Sequence, residues 1–377
     1  MQTKQRIVWA DLLRLIAIFM VICSHSADPF NVSAEARLNP EFNFWGSIYG
    51  SFFRPCVPLF AMLTGMLLLP VRQSMGTFYK KRITRVLVPF IIWSLIYNLF
   101  PWLVRVVGLD SSVLTTMFPY AGEHPDQSLM GCLHNVAMIP FNFGSYTVPL
   151  WYIYMLIGLY LYLPIFSAWV AQASKKQKQV FLCIWGVSLL LPYCQEYIMA
   201  DILGACAWNE FGMLYYFAGF NGYLLLGHYL KDYPLTSVAK TIVLSLVLLI
   251  VGYAITYSGF SHMSSTPGIT EHQLELYWLY CSPQVVMMTI AWFLLIQRVH
   301  IKSSVIISVL KNLTQCGLGI YLIHYFVVGF GYIVIDKVGV PISLRIPATA
   351  LLVFAVAWSI VALCYKMNAK VSKWVMG

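Results

Sequence analysis

The sequence predicts an all-α, polytopic integral membrane protein with about ten transmembrane helices and both termini in the cytoplasm. Hydrophobic residues make up 60% of the chain and charged residues only 10%, whereas about a quarter of the residues of a soluble domain are charged. Apolar runs of about 20 residues, the length that a helix needs to cross a bilayer, recur along the whole chain. The distribution of basic residues gives the orientation.

Ten apolar segments have a suitable length. They lie at about 8–26, 46–70, 86–107, 149–168, 180–199, 214–230, 241–259, 278–297, 313–335 and 346–365. Each is continuous rather than an alternation of polar and apolar residues over about ten positions, so we expect helices rather than the strands of a membrane barrel.

The 24 Lys and Arg residues cluster on one side of these segments. With the N-terminus in the cytoplasm, 18 of them, Lys4 included, fall in inner segments and two fall within spans. The remaining four, in outer segments, are Arg37, Arg105, Lys337 and Arg345. The positive-inside rule therefore predicts an even number of spans with both termini inside. The net charge of +10 would by itself suggest nucleic acid, but the basic residues lie on the predicted cytoplasmic side of membrane spans, which argues against that partner. This charge is then available to anionic lipid or an anionic soluble ligand.

Nine cysteines are present, most of them within predicted spans, where a free cysteine packs as a small apolar residue. Cys132, Cys194 and Cys206 lie near the predicted outer face, where a disulfide is possible but its pairing cannot be deduced. No CxxC motif or His/Cys ligand cluster occurs, so the sequence predicts no metal site.

The first span carries ionisable residues that a bilayer should expel, namely Asp11, Arg14 and His25. Helical geometry places Arg14 and His25 on one face, about 16 Å apart along the axis. Each such group costs about 2.5 kcal/mol or more unless it faces protein or water, so the spacing predicts a polar channel. The segment also resembles a signal peptide, but Asp11 and Arg14 interrupt the region that should be apolar, so we expect it to be retained.

The segment VRQSMGTFYKKRITRVLVPF, which follows the second span, contains five basic residues. The positive-inside rule is enough to explain the presence of any single lysine in this segment, including Lys81. Arg82 and Arg85 stand at positions i and i+3 of a predicted helix, where a pair of guanidinium groups can bind phosphates. We interpret this pair as a candidate ligand site.

Three other polar or aromatic residues within the spans have two interpretations each. Arg54 stands beside Pro55, where freed carbonyls are satisfied either by neighbouring helices or by a polar cavity. His324 is either a polar lining residue or a satisfied core histidine. Trp151 fits an aromatic belt or a surface that stacks on a sugar ring, and Glu196 could help to bind an acceptor.

The longest extramembrane stretch is the outer segment 108–148, which is rich in glycine, proline and aromatic residues. Its composition fits two alternatives equally well. One is a cover over a sugar or lipid, and the other is an aromatic loop that rests on lipid headgroups.

Several motifs in this order resemble the acyltransferase 3 family of membrane acyltransferases. Arg14 and His25 match the family's Arg-x10-His signature, preceded by Asp11. The other matching segments are VPLFAMLTGMLL (57–68), FYKKRITRVLVPF (78–90), LWYIYMLIGLYLYLP (150–164), GYLLLGHYL (222–230) and CGLGIYLIHYFV (316–327). The chain departs from the family pattern at Ala61 and Thr64, which affects packing details rather than the resemblance.

The resemblance implies that residues 1–377 form a single transmembrane acyltransferase domain of the bacterial inner membrane. Such a domain transfers an acyl group, usually acetyl, from cytoplasmic acyl-CoA to a hydroxyl of a cell-envelope glycan or lipid-linked sugar. Direct transfer and an acyl-histidine intermediate both remain open, as does a transporter or flippase of a lipid-linked sugar.

These alternatives assign different roles to the polar residues. For the enzyme, His25 is the expected catalytic base, with Arg14 as a donor contact and Asp11 as the charge partner of Arg14. Lys81, Arg82 and Arg85 are expected to bind acetyl-CoA. The expected substrate-binding residues are Arg54, Trp151, Glu196 and His324, and Arg54 is also a candidate contact for the oxyanion. For a transporter, Arg14 and His25 would instead be relay groups.

Overall fold

The computed structural model describes residues 6–204 and 211–377. Within these ranges the chain is helical and contains no β-strand, which confirms the predicted all-α class. Lys4 and Cys206, which entered the predictions above, lie outside the described residues. The described cysteines near the predicted outer face, Cys132 and Cys194, are free thiols.

The α-helices are numbered in chain order. They are α1 (Val8–Ser26), α2 (Asp28–Asn31), α3 (Ala34–Leu38), α4 (Pro40–Phe52), α5 (Cys56–Leu68), α6 (Met75–Val106), α7 (Ser112–Met117), α8 (Leu129–Met138), α9 (Trp151–Gln172), α10 (Lys175–Ser188), α11 (Leu191–Tyr197), α12 (Asn221–Asp232), α13 (Val238–Ser264), α14 (Glu271–Glu275), α15 (Pro283–Gln297), α16 (Ser304–Lys337), α17 (Ile342–Met367) and α18 (Ala369–Val375).

Within the described residues, nine helical segments are long and apolar enough to cross a membrane, so the chain is a multi-pass membrane protein. The predicted span at 214–230 is not among them. It holds α12, whose 12 residues measure about 18 Å and are too short for the hydrocarbon core. Gly219, inside this segment, adopts a positive φ angle, which interrupts the helix that the apolar composition predicted.

The second predicted span is two helices rather than one. Helix α4 ends at Phe52, and α5 begins at Cys56. Pro55, between them, lacks the backbone N–H that would continue the helical ladder. Arg54 therefore lies at a break in the helix.

The chain forms two compact units, each assembled from separate segments of the sequence. Unit 1 comprises Met1–Met20, Gly50–Arg72 and Tyr162–Leu310, and unit 2 comprises Val21–Tyr49, Gln73–Leu161 and Lys311–Gly377. Helix α1 contributes Arg14 to unit 1 and His25 to unit 2.

Unit 1 is held together partly by close contact between the backbones of α5 and α12. A Cβ atom at Gly65 would overlap the Leu224 carbonyl, and one at Gly227 would overlap the Met62 carbonyl. Both positions thus need glycine, because the small residue lets the two helix backbones approach each other.

In unit 2, the long helix α6 packs against α16 and α18. The Tyr97 ring stacks on Phe326, with centroids 4.1 Å apart, and the Tyr97 hydroxyl donates to the Leu322 carbonyl at 2.8 Å. The Trp93 indole N–H donates to the Val375 carbonyl at 2.9 Å, which holds the end of α18 on α6.

Segment 108–148, predicted to be outside, is folded, because it contains α7 and α8. Phe118, which follows α7, is fully buried, and its ring centroid lies 5.7 Å from that of Tyr325. At the start of α8, hydrogen bonds from Ser128 lower the pKa of the Asp126 carboxyl and fix the turn. Part of this segment therefore packs into unit 2, whereas Phe141 is exposed.

Candidate functional site

A histidine–aspartate pair lies where α1 ends and α2 begins. The His25 Nδ1 atom is 3.0 Å from the Asp28 Oδ2 atom, and both side chains are mostly buried. A carboxylate only accepts hydrogen bonds, so the contact favours the tautomer with the proton on Nδ1. The other ring nitrogen of His25, Nε2, is then free of a proton and available as a base.

Two residues of α16 pack against this histidine. The rings of His324 and Tyr325 have their centroids 5.4 Å and 5.3 Å from that of His25. Both residues are fully buried, and the Nδ1 atom of His324 is hydrogen-bonded to the Tyr321 carbonyl. Helix α16 thus forms one wall of the site.

Two polar atoms of this wall lack partners within residues 6–204 and 211–377. The His324 Nε2 atom and the Tyr325 hydroxyl are both buried and unpaired there. A buried polar group without a hydrogen bond costs about 1–3 kcal/mol, and such a group in a native protein calls for an explanation. Both residues contact the ring of His25.

A series of ring contacts runs from His324 to the start of α9. Tyr321 lies 5.7 Å from His324, and Tyr152 lies 5.7 Å from Tyr321, both measured between ring centroids. Trp151 contacts Tyr152 edge to face at 6.5 Å. The structure thus connects the predicted substrate residues Trp151 and His324 through two tyrosines.

Arg14 and Asp11, on the first part of α1, form the predicted ion pair. The Arg14 Nη1 atom lies 3.3 Å from Asp11 Oδ1, and Arg6 contacts the second oxygen of the same carboxylate. Asp11 is buried, whereas a third of the Arg14 side chain is exposed. The Asp11 carboxylate therefore forms ion pairs with two guanidinium groups in unit 1.

A basic cavity of about 500 Å³ lies beside the first half of α6. It is lined by Lys81, Thr84, Arg85, Pro89, Lys370, Lys373 and Trp374. The lining contains four basic side chains and no acidic one. Lys81 and Arg85, two of the four predicted donor residues, thus share this cavity with residues of α18.

The other two predicted donor residues, Arg82 and Arg14, are not part of this lining. Arg82 lies on α6. It follows Lys81 by one position, which turns its side chain about 100° around the helix. Its Nε atom is buried and has no hydrogen-bond partner within the described part of the chain. Arg82 and Arg85 stand three positions apart on the continuous helix α6, but only Arg85 lines the cavity.

Arg54 and Glu196 are both engaged with side chains of unit 1. The Arg54 guanidinium carbon lies 4.0 Å from the ring centroid of Trp278 and 5.5 Å from that of Tyr280, an arrangement that stabilises a cation. The Glu196 carboxylate accepts a hydrogen bond of 2.8 Å from Gln273.

The family model of the acyltransferase domain in acyltransferase 3 proteins matches residues 7–364. This match covers nearly the whole chain. The chain belongs to the acyltransferase 3 family. Comparisons with curated proteins and with solved structures found no match. The protein is therefore a multi-pass membrane acyltransferase.

The acyltransferase 3 motifs are divided between the two units. In unit 1, segment 57–68 is in α5 and segment 222–230 is in α12, the two helices in close backbone contact. In unit 2, segment 78–90 supplies the basic face of α6, and segment 316–327 supplies His324 and Tyr325.

Several residues of the candidate site were not predicted from the sequence. The His-x-x-Asp spacing could have indicated Asp28, because residues three apart share a helix face. Tyr325 offered no signal beyond its position next to His324. Lys370 and Lys373 looked like ordinary positive-inside charge, because only the fold brings α18 to α6.

Proposed function

We propose that this acyltransferase moves an acetyl group from cytoplasmic acetyl-CoA to a hydroxyl of a cell-envelope glycan or its lipid-linked precursor. Its location would be the bacterial inner membrane. Family membership supports acyl transfer, and the His25–Asp28 pair is the observation that carries the proposed chemistry. The apolar helices of the chain suit an acceptor that arrives within or at the membrane.

In the proposed reaction His25 is the general base. Its Nε2 atom takes the proton of the acceptor hydroxyl as the oxygen attacks the thioester carbonyl, while Asp28 holds the ring and stabilises the imidazolium. Collapse of the tetrahedral intermediate breaks the C–S bond and expels the CoA thiolate. The proton on Nε2 then passes to that sulfur, which restores neutral His25.

The Tyr325 hydroxyl suits the oxyanion of that intermediate. It is a buried donor without a partner among the described residues, and its ring contacts His25. A donor already directed into a dry site stabilises developing negative charge without reorganising. Arg54 was the candidate for this role from the sequence, but its guanidinium stacks on Trp278, so we assign the oxyanion contact to Tyr325 and keep Arg54 as a proposed substrate contact.

The basic cavity beside α6 suits the phosphate groups of the donor. Lys81 and Arg85 line it, and guanidinium and ammonium groups both bind phosphate oxygens. The pantetheine arm would extend from there into the membrane interior. Arg14 stays a proposed donor contact on the basis of the sequence.

The acceptor side of the proposal rests on aromatic and polar residues. Trp151 is half-buried, so part of its ring remains accessible for stacking on a sugar. His324 offers an unpaired ring nitrogen beside His25. Glu196 stays a proposed acceptor contact.

Release of CoA thiol tests this proposal. Protein purified into nanodiscs would receive acetyl-CoA and candidate envelope glycans, with the free thiol and the acetylated glycan both measured. We expect His25→Ala to abolish both products, and His134→Ala, an exposed histidine of the same unit, to retain them. Undiminished thiol release by His25→Ala would refute the assignment. If the unaltered protein released no thiol and the His25→Ala variant still transported a lipid-linked sugar, the results would favour a flippase.

A further inference from the structure

The last helix of the chain, α18, is capped at its start and hydrogen-bonded to α6 at its end. At its start, the Asn368 side chain accepts hydrogen bonds from the backbone N–H groups of Lys370 and Val371 at 3.2 Å and 3.1 Å. At its end, the Val375 carbonyl accepts the Trp93 indole N–H at 2.9 Å. The helix therefore holds its side chains in a defined position relative to α6.

Two lysines of α18 face the basic residues of α6 across the cavity described above. Lys370 and Lys373 line it together with Lys81 and Arg85. None of these four side chains forms an ion pair with residues 6–204 or 211–377. Four uncompensated positive charges around one cavity repel each other, so an anion in the cavity would stabilise this arrangement.

The cavity also has a size and an aromatic surface suited to a nucleotide. Its volume of about 500 Å³ falls within the usual range for small-molecule sites, about 300–1,000 Å³. Trp374, also in the lining, has 57% of its surface exposed. An exposed indole next to a basic cluster offers a stacking surface for a purine beside contacts for phosphates.

We propose that α18 completes the donor site, with Lys370 and Lys373 binding the 3′-phosphate of acyl-CoA and Trp374 stacking on its adenine. This inference rests on acyl-CoA being the donor, as proposed above. It makes the C-terminal helix a determinant of donor specificity, because the 3′-phosphate distinguishes CoA from its dephosphorylated form. The phosphate of an anionic lipid headgroup shares the same chemistry, and the experiment separates the two sources.

The test compares binding of acetyl-CoA and acetyl-3′-dephospho-CoA to the full-length protein in nanodiscs of zwitterionic lipid. We expect the unaltered protein to prefer acetyl-CoA. The double variant Lys370→Gln/Lys373→Gln should bind acetyl-CoA about tenfold more weakly or worse and bind the dephospho form unchanged. The charge-matched control is Lys311→Gln/Lys366→Gln, because both lysines are exposed and neither lines the cavity.

Equal losses for the two donors, or no loss for either, would overturn the proposal. A second measurement uses nanodiscs that contain phosphatidylglycerol and compares how much of this lipid each protein retains. If the unaltered protein retained more of it than the double variant, while the two proteins bound acetyl-CoA equally, the cavity would be a lipid site. Should the double variant fail to fold, Lys373→Gln alone provides the same comparison. Failure of the unaltered protein to bind either donor would refute the proposed function instead.

Discussion

The Nδ1 atom of His25 lies 3.0 Å from the Oδ2 atom of Asp28 across the junction between α1 and α2. This contact turns a histidine at the end of an apolar helix into an oriented base. Asp28 is 7% exposed, so water screens the contact weakly. The predicted catalytic role of His25 should therefore depend on Asp28.

Replacing Asp28 with asparagine should lower kcat by about 100-fold or more, because the amide no longer enforces the productive tautomer. The KM for acetyl-CoA should change little, since the Asp28 side chain is not expected to contact the donor. Initial rates of thiol release at varied donor concentration measure both constants. Unchanged kcat would show that the tautomer of His25 does not depend on Asp28.

Replacing Tyr325 with phenylalanine should affect activity and stability in opposite directions. Loss of an oxyanion donor should lower kcat by about 10²–10³-fold. Removal of a buried hydroxyl that has no partner in the described chain should leave the free energy of unfolding unchanged or raise it by up to about 1 kcal/mol.

Tyr97→Phe is the matched control, because its hydroxyl donates to the Leu322 carbonyl. That variant should lose about 1 kcal/mol of stability. Thermal unfolding in detergent and rates of thiol release measure the two effects. A Tyr325→Phe enzyme that is less stable and equally active would contradict the assignment.

Much of the fold follows from the sequence, because the length of an apolar segment is enough to predict a transmembrane helix. The first span was predicted at 8–26, and α1 occupies those residues. Helix α6 begins at Met75, well before the predicted start at 86, because lysine and arginine favour helix and continue it beyond the apolar segment. The 214–230 span was wrong because hydropathy does not register backbone conformations such as that of Gly219.

The site could be predicted only in part. His25 could be predicted because an ionisable residue in a membrane-spanning segment is costly and therefore usually has a function. Its contact with Tyr325 joins residues that are remote in sequence, and no local periodicity encodes such a contact. The same limit explains why α18 was missed, since its position depends on a hydrogen bond from Trp93.

Replacing Gly65 with alanine should destabilise unit 1. The added Cβ would overlap the Leu224 backbone, which cannot rotate aside as a side chain can, so we expect a loss of about 1–3 kcal/mol. Gly186→Ala is the control, because that helical glycine of the same unit has open space around it; it should be neutral or stabilising. Thermal unfolding compares the two variants, and equal stability would show that α5 and α12 can separate without cost.

Arg85→Ala should weaken acetyl-CoA binding more than Arg82→Ala does. Arg85 lines the basic cavity and Arg82 does not, so only the first substitution removes a charge that faces the proposed phosphate site. We expect a loss of about tenfold or more for Arg85→Ala and a smaller one for Arg82→Ala, measured by calorimetry at fixed ionic strength. The i, i+3 spacing alone predicts equal losses, so equal losses would favour the common-face interpretation over the cavity. Raising the salt concentration should narrow the difference, because screening weakens the contribution of Arg85.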